Sequence, residues 1–293
     1  MSAPYEAVIL AAGRGSRLGR RTIAIPKALL PIGPRAHDDN TETTFLRRQC
    51  EVLRSYGVER IVIAVGYHKE QIADSVGTWP ASLVGSGEAA IRLVENTTPD
   101  ITTSGSLHSF QYCVRAGHDV LDGTRQTLLM DADIVYDRRA LGILLDAPEQ
   151  STLLICSDYR PGNEEVLVYG SPEAPRFLGK GLTPALVMDK PCLGEATGIV
   201  KFAPADHALA RETMDWMLGD PSAAEGTLER RGFGPARMGT EHEELTGRMM
   251  TYGRMTSVSF GAELPFMECD SEDEYSELRE RFYPALLASE GPA

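Results

Sequence analysis

An apolar run that breaks into glycines and basic residues governs what this chain can become. Residues 7–18 read AVILAAGRGSRL. The first half has the length and branched character of a short buried strand, and Gly13 and Gly15 end it. Such a turn lets backbone N–H groups approach a ligand closely, with no Cβ in the way. Between Ala7 and His37 stand six basic residues, Arg14, Arg17, Arg20, Arg21, Lys27 and Arg35, and no carboxylate, in a 293-residue chain of formal net charge -13. A basic island on a glycine turn suits an anion of several charges, such as a polyphosphate.

Strand and helix signals alternate through the first half. Residues 5–11, 60–66, 89–95 and 127–130 read as strands, and 45–57 and 106–121 as helices. The second half is richer in strands, at 151–157, 166–169, 176–178, 185–188, 197–202 and 257–260, with helices expected at 204–218 and 241–252. A last helix starts at Ser271, where Ser271 and Glu274 form a capping box. The expected fold is α/β, Rossmann-like, a mixed and mostly parallel sheet with helices on both faces. One domain over 1–293 is expected, with 5–135 as its nucleotide-binding half and 136–288 as its acceptor-binding half. The polar stretch around 34–44 reads as a surface insertion. The acidic balance argues against nucleic acid as a partner. No apolar run approaches a membrane span, and no signal-peptide pattern opens the chain, so a cytoplasmic location is expected. Five scattered cysteines fit reduced thiols rather than a disulfide or zinc framework. The six histidines show no metal-ligand spacing.

Three phosphate loops compete for residues 10–18. A dinucleotide fingerprint, GxGxxG, fails because Leu18 stands three residues after Gly15, and that disfavours a dehydrogenase. A GxxxxGK[ST] loop does not occur. LAAGRGSRL (10–18) followed by PKALLPI (26–32) resembles the third, the LAAGxGxRL…PKxLxPI signature of the nucleoside-triphosphate transferases often called nucleotide-sugar pyrophosphorylases. The resemblance implies Mg²⁺-dependent nucleotidyl transfer with release of pyrophosphate. It places Leu10, Ala11, Ala12, Gly13, Arg14, Gly15 and Ser16 around the nucleotide. Arg17 would fork onto the β- and γ-phosphates and Lys27 would reach the α-phosphate, where charge builds in the transition state.

Mg²⁺ takes one or two carboxylates. Asp131 and Asp133 end the apolar strand TLLM, and strand alternation puts both on one face of the ligand crevice. Matched to the family's central motif, Asp133 takes the metal-binding place and Asp131 a nucleotide contact. FMECD (266–270) resembles the family's C-terminal ExD motif, with Asp270 as second ligand and Glu268 beside it.

Residues 96–110, 159–171 and 195–202 resemble the branch of cytidylyltransferases that activate phosphocholine and phosphonates. This implies CTP as donor and a small phosphonate or phospho-alcohol as acceptor. Asn96 and Ser106 are candidate base or acceptor contacts. Glu165, Glu195, Glu243 and Glu244 are candidates to face a cationic acceptor group, and Lys190, ahead of Lys180, to hold its phosphate or phosphonate. Thr102-Thr103 departs from the branch's Thr-Asn pair. The alternatives are a sugar-1-phosphate uridylyl- or thymidylyltransferase and a non-catalytic nucleotide-binding regulator. A monomer or homodimer is expected.

Overall fold

The computed structural model describes residues 4–98, 104–159, 165–219 and 240–291. In chain order, β1 (Tyr5–Ala11) leads through the glycine turn to the one-turn helix α1 (Arg21–Ala24). The hairpin β2 (Pro31–Ala36) and β3 (Asp39–Thr44) follows, then α2 (Phe45–Ser55), β4 (Arg60–Val65), α3 (Lys69–Gly77), α4 (Ala81–Val84), β5 (Arg92–Glu95) and α5 (Ser106–Arg115). The centre of the chain holds β6 (Gln126–Asp131), β7 (Ile134–Tyr136), α6 (Arg138–Asp146) and β8 (Thr152–Cys156). Beyond it come β9 (Leu167–Ser171), β10 (Ala174–Gly179), β11 (Cys192–Phe202), α7 (His207–Gly219), α8 (His242–Thr251), β12 (Thr256–Phe260), β13 (Phe266–Glu268), α9 (Glu272–Glu277) and α10 (Tyr283–Glu290).

The main sheet runs β10-β9-β11-β6-β1-β4-β5, with β8 pairing β11 and β12 pairing β8. β1 is parallel to β4 and β6 at its centre, and β11 joins β6 antiparallel. This is the expected mixed, mostly parallel sheet. Alternate residues of each central strand serve opposite faces. Ala7 and Ile9 of β1 pack with Ile61, Ile63, Leu128 and Met130 against α2, α3 and α6. Val8 packs with Val62, Ala64 and Leu129 against α5, α7 and α8. A third cluster gathers Leu18, Ile32, Phe45, Val135, Cys269, Tyr275 and Tyr283, and joins the end of the glycine turn to the C-terminal helices.

One expectation changes. Residues 185–188 form turns, not a strand, and Met188 and Asp189 take positive φ of 51° and 53°. An apolar run too short to pair across the sheet leaves no ladder to satisfy its backbone, and the turn does so internally. The polar stretch around 34–44 lies largely exposed, as expected of a surface insertion, and takes the form of the β2–β3 hairpin, braced at its base. Tyr275 Oη donates to Pro31 O at 2.6 Å. A Cβ on Gly33 would stand 2.6 Å from Tyr283 Cδ1, and its φ of +146° disfavours any side chain. Gly33→Ala is therefore expected to lower stability by about 1–3 kcal/mol, readable as a reduced urea midpoint at unchanged m value.

Candidate active site

Gly15 takes φ +62°, and a Cβ there would stand 3.0 Å from Lys27 Cβ. Glycine is thus needed for the turn and for the approach of Lys27. Thr22 Oγ1 donates to Gly15 O at 2.9 Å and closes the loop from the other side. Leu18 N donates to the same carbonyl at 3.0 Å.

Lys27 is buried, and its ammonium lies between two carboxylates remote in sequence. Nζ stands 2.6 Å from Asp133 Oδ2 and 2.8 Å from Asp270 Oδ1. Arg17 Nη2 meets the other Asp270 oxygen at 2.7 Å, with its own side chain 57% exposed. The backbone clips the acids together, since Cys269 N donates to Asp133 O at 3.1 Å and β13 pairs with β7. Glu274 Oε2 then accepts from Asp270 N at 2.7 Å and Ser271 N at 2.8 Å, so the capping box also orients Asp270. Gln49 of α2 donates to Asp131 O at 2.8 Å and braces the turn after β6.

Burial opposes the charge on Lys27, yet Asp133 and Asp270 raise its pKa, so it stays an ammonium. Burial alone would raise Asp270, but Lys27 and Arg17 hold it below the usual carboxylate range. Glu268 moves the other way, pushed well above its usual range by desolvation and by Asp133 and Asp270. Ligand oxygens of Asp133, Glu268 and Asp270 lie within 4.8 Å of one another. The Lys27 ammonium and the Arg17 guanidinium hold these acids together in the resting site. Three carboxyl groups so gathered are a set of hard oxygen donors, and such a set fits a divalent ion such as Mg²⁺.

Asp131 and Asp133 do not share one partner set, contrary to simple strand alternation. The strand ends at Asp131 and a turn follows. Asp133 thereby meets Lys27, while Asp131 faces His242 and Glu243 at the start of α8. Desolvation, then Glu243 and Asp133, push the Asp131 carboxyl well above its usual range.

A cavity of about 270 Å³ is lined by Leu10 through Arg17, Lys27, Asn96, Ser106, Asp131, Asp133 and Asp270. Every residue expected to contact nucleotide or metal is brought to it. Ser104, Gly105, Ser109 and Glu241 also line it, and no sequence signal had singled them out. Asn96 is already engaged, donating to Ser104 Oγ and Ser109 Oγ at 2.9 Å each. Ser106 Oγ donates to Glu241 Oε2 at 2.8 Å and accepts from His242 N at 2.7 Å, joining α5 to α8. Both residues therefore shape the wall as well as line it.

A second cavity of about 420 Å³ shares Asp270 with the first. It collects Asp158, Glu165, Glu195, Glu268, Glu274 and Glu277 with Tyr159, Phe266 and Phe282, and no lysine or arginine among its described lining residues. Burial, then Glu165, push Glu195 up to about 7, with Lys180 opposing. The exposed Lys190 lines neither cavity. Glu243 lies beside His242, and Glu244 closes the capping box of α8, so neither stands in the acidic cavity. Thr102-Thr103 falls outside the described residues. Of the other basic-island residues, Arg14 lies over the Tyr67 ring, Arg21 pairs with Glu272, and Arg35 with Glu51 and Asp39.

Residues 7–187 match the model of the MobA-like NTP transferase domain. The chain belongs to this family. Those residues form a nucleotidyltransferase-type domain. The CMP-5'-(3-aminopropyl)phosphonate synthase of Streptomyces rubellomurinus is 30% identical over 158 residues, 54% of this chain, and the match spans 22% of that relative's length. The CTP:phosphocholine cytidylyltransferase of Streptococcus pneumoniae shares the fold at a TM-score of 0.63 and 18% identity, over 94% of this chain and 98% of its own. The inositol-1-phosphate CTP transferase of T. maritima does so at 0.65 and 16%, over 100% and 99%. At these identities the structural likenesses speak to the fold. No helix among the described residues is long and apolar enough to cross a membrane.

The Lys27 pairs generate a stability prediction with a definite sign. Lys27→Met strands Asp133, Glu268 and Asp270 together and is expected to cost about 3 kcal/mol at pH 8. In the wild type the depressed Asp270 contributes stability above the unfolded carboxylate range, lost as pH falls through its folded value. The gap between variant and wild type should therefore be smaller below the usual carboxylate range, at about pH 3, than at pH 8 in chemical denaturation. An equal gap at both pH values would contradict the pairing.

Proposed function

We propose that this transferase joins CMP from CTP to a small phosphonate or phospho-alcohol acceptor that carries an amine, in a Mg²⁺-dependent reaction. The observation that carries this is the junction of the two cavities at Asp270, one lined by the glycine loop, the other by carboxylates and aromatic rings. Glu165 Oε2 is buried there with no hydrogen-bond partner, which suits a donor supplied by the acceptor. The cytidylyl chemistry named for its relatives, and the aminopropylphosphonate in one of them, support the same reading. Residues 5–135 would serve the nucleotide and 136–288 the acceptor, within one domain.

The acceptor's phosphonate or phosphate oxygen is already ionised, so no general base is required. It forms a bond to the α-phosphorus as the bond to the bridging oxygen of the β-phosphate breaks, and pyrophosphate leaves with that electron pair. Catalysis is then positioning and charge neutralisation. The turn from Leu10 to Ser16 presents backbone N–H groups to the phosphates. Arg17, whose exposed guanidinium pairs with Asp270, turns to the leaving pyrophosphate. Lys27 keeps its ammonium and meets the α-phosphate oxygen where charge accumulates. Asp133 and Asp270 would hold Mg²⁺, with Glu268 beside them, and the ion would neutralise the triphosphate. Asp131 faces the nucleotide side, and Glu195 with Glu165 takes the acceptor's ammonium.

Pyrophosphate release from CTP, UTP, dTTP, GTP and ATP, each with aminoalkylphosphonates, phosphocholine and sugar 1-phosphates, tests the assignment. CTP with an amine-bearing acceptor should turn over fastest; a preference for UTP or dTTP with a sugar phosphate would replace it. Arg17→Ala, at an exposed position, should lower kcat by about 10²-fold while shifting the melting temperature little. Glu195 binds an ammonium only when ionised, so KM for the acceptor should fall as pH rises through about 7. Glu195→Gln should abolish that pH dependence and raise stability at pH 8, where ionising a desolvated carboxyl is unfavourable.

A further inference from the structure

The contact between β6 and the start of α8 is unexplained by nucleotidyl transfer. His242 is 1% exposed, and its Nε2 is buried with no hydrogen-bond partner. Its Nδ1 stands 3.1 Å from Ser106 Oγ and 3.1 Å from Glu243 Oε2. The Ser106 hydroxyl donates to Glu241, and a carboxylate only accepts, so neither neighbour can donate to Nδ1. The ring proton must therefore sit on Nδ1. That leaves a lone pair on Nε2, whose nearest charged neighbour is Asp131 Oδ2 at 3.6 Å. Two acceptors face each other at the wall of the nucleotide cavity, an arrangement that a shared cation satisfies.

We propose that Asp131, His242 and Glu243 form a site for a divalent cation of the Zn²⁺ class, separate from the carboxylate trio around Lys27. Ligand atoms of the three residues lie within 4.8 Å of one another. A tetrahedral ion with bonds of about 2.1 Å spaces its ligands about 3.4 Å apart, close to the Nε2–Oδ2 separation. One imidazole nitrogen with two carboxylates favours Zn²⁺, Co²⁺ or Mn²⁺ over Mg²⁺, which prefers oxygen donors alone. The Nδ1–H bond to Ser106 Oγ is the outer-shell arrangement that fixes a ligating tautomer. Gly198 gives the Asp131 carboxylate its room, since a Cβ there would collide with Oδ2. The N-terminus of α8 opposes a cation through its partial positive charge, but Asp131, Glu241 and Glu243 outweigh it. The ion would pin β6 to α8 and, through Ser106, to α5, at the wall of the nucleotide cavity.

The test needs no nucleotide and does not depend on the cytidylyl reading. Chelator-stripped protein is titrated with Zn²⁺ alone by calorimetry, and with Co²⁺ by visible absorption. Wild type should bind one equivalent that gives Co²⁺ d–d bands. His242→Gln should weaken that equivalent by at least about tenfold, and Glu243→Gln measurably, whereas Asp133→Asn should retain it. Circular dichroism checks each fold, and Glu243→Gln carries the comparison if His242→Gln does not fold. Absence of a stoichiometric Zn²⁺ in wild type, wild-type binding by the folded His242 or Glu243 variants, or loss confined to Asp133→Asn would overturn the proposal.

Discussion

One ammonium ties this structure together. Lys27 joins three stretches of chain: the glycine loop, the turn after β6, and the segment between β13 and α9. Each of its partners is fixed by something other than the ion pair. Asp133 is set by the Cys269 backbone bond and Asp270 by the capping box. A buried charge is tolerable only with pre-placed partners, and the fold supplies them before any ligand arrives. The resting site is thus internally paired, and any anion entering it would compete for cations that already have counter-charges.

The same arrangement explains why two acids two residues apart have different surroundings. The turn after β6 directs Asp133 toward Lys27 and leaves Asp131 with α8, where no lysine or arginine pairs with it among the described residues. Cations gather on one side of the turn and carboxylates accumulate on the other and in the acidic cavity. That asymmetry separates a region suited to phosphates from regions suited to positive groups.

Much of this was legible in the sequence where a short local pattern carries the physics. The glycine turn, Lys27 after Pro26, and Ser271 with Glu274 are each contained within a few residues. Asp133 and Asp270 were found through motifs, although their 137-residue separation hides that they share an ammonium. The stretch after Pro31 read only as a surface insertion; its hairpin form was hidden because the support at its base, Tyr275 and Tyr283, lies at the far end of the chain. Residues 185–188 have the composition of a strand but no partner strand, which composition cannot reveal. His242 carried no signal at all: its neighbour Asp131 is remote, and a Glu-His-Glu-Glu run is also an ordinary helix start. Lys190 looked well placed by sequence proximity to Glu195, but the turn before β11 carries it to the surface.

The clip between Cys269 and Asp133 also orders events in time. Chain synthesis delivers the glycine loop and β6 long before residue 270. Until then Lys27 has only half its partners, and the third core cluster, built on Tyr275 and Tyr283, is open. The central sheet can form while the reaction centre stays unfinished and wet. Completion of the site thus coincides with burial of the last helices, so a nascent chain has the scaffold of a transferase before it has the means to act as one.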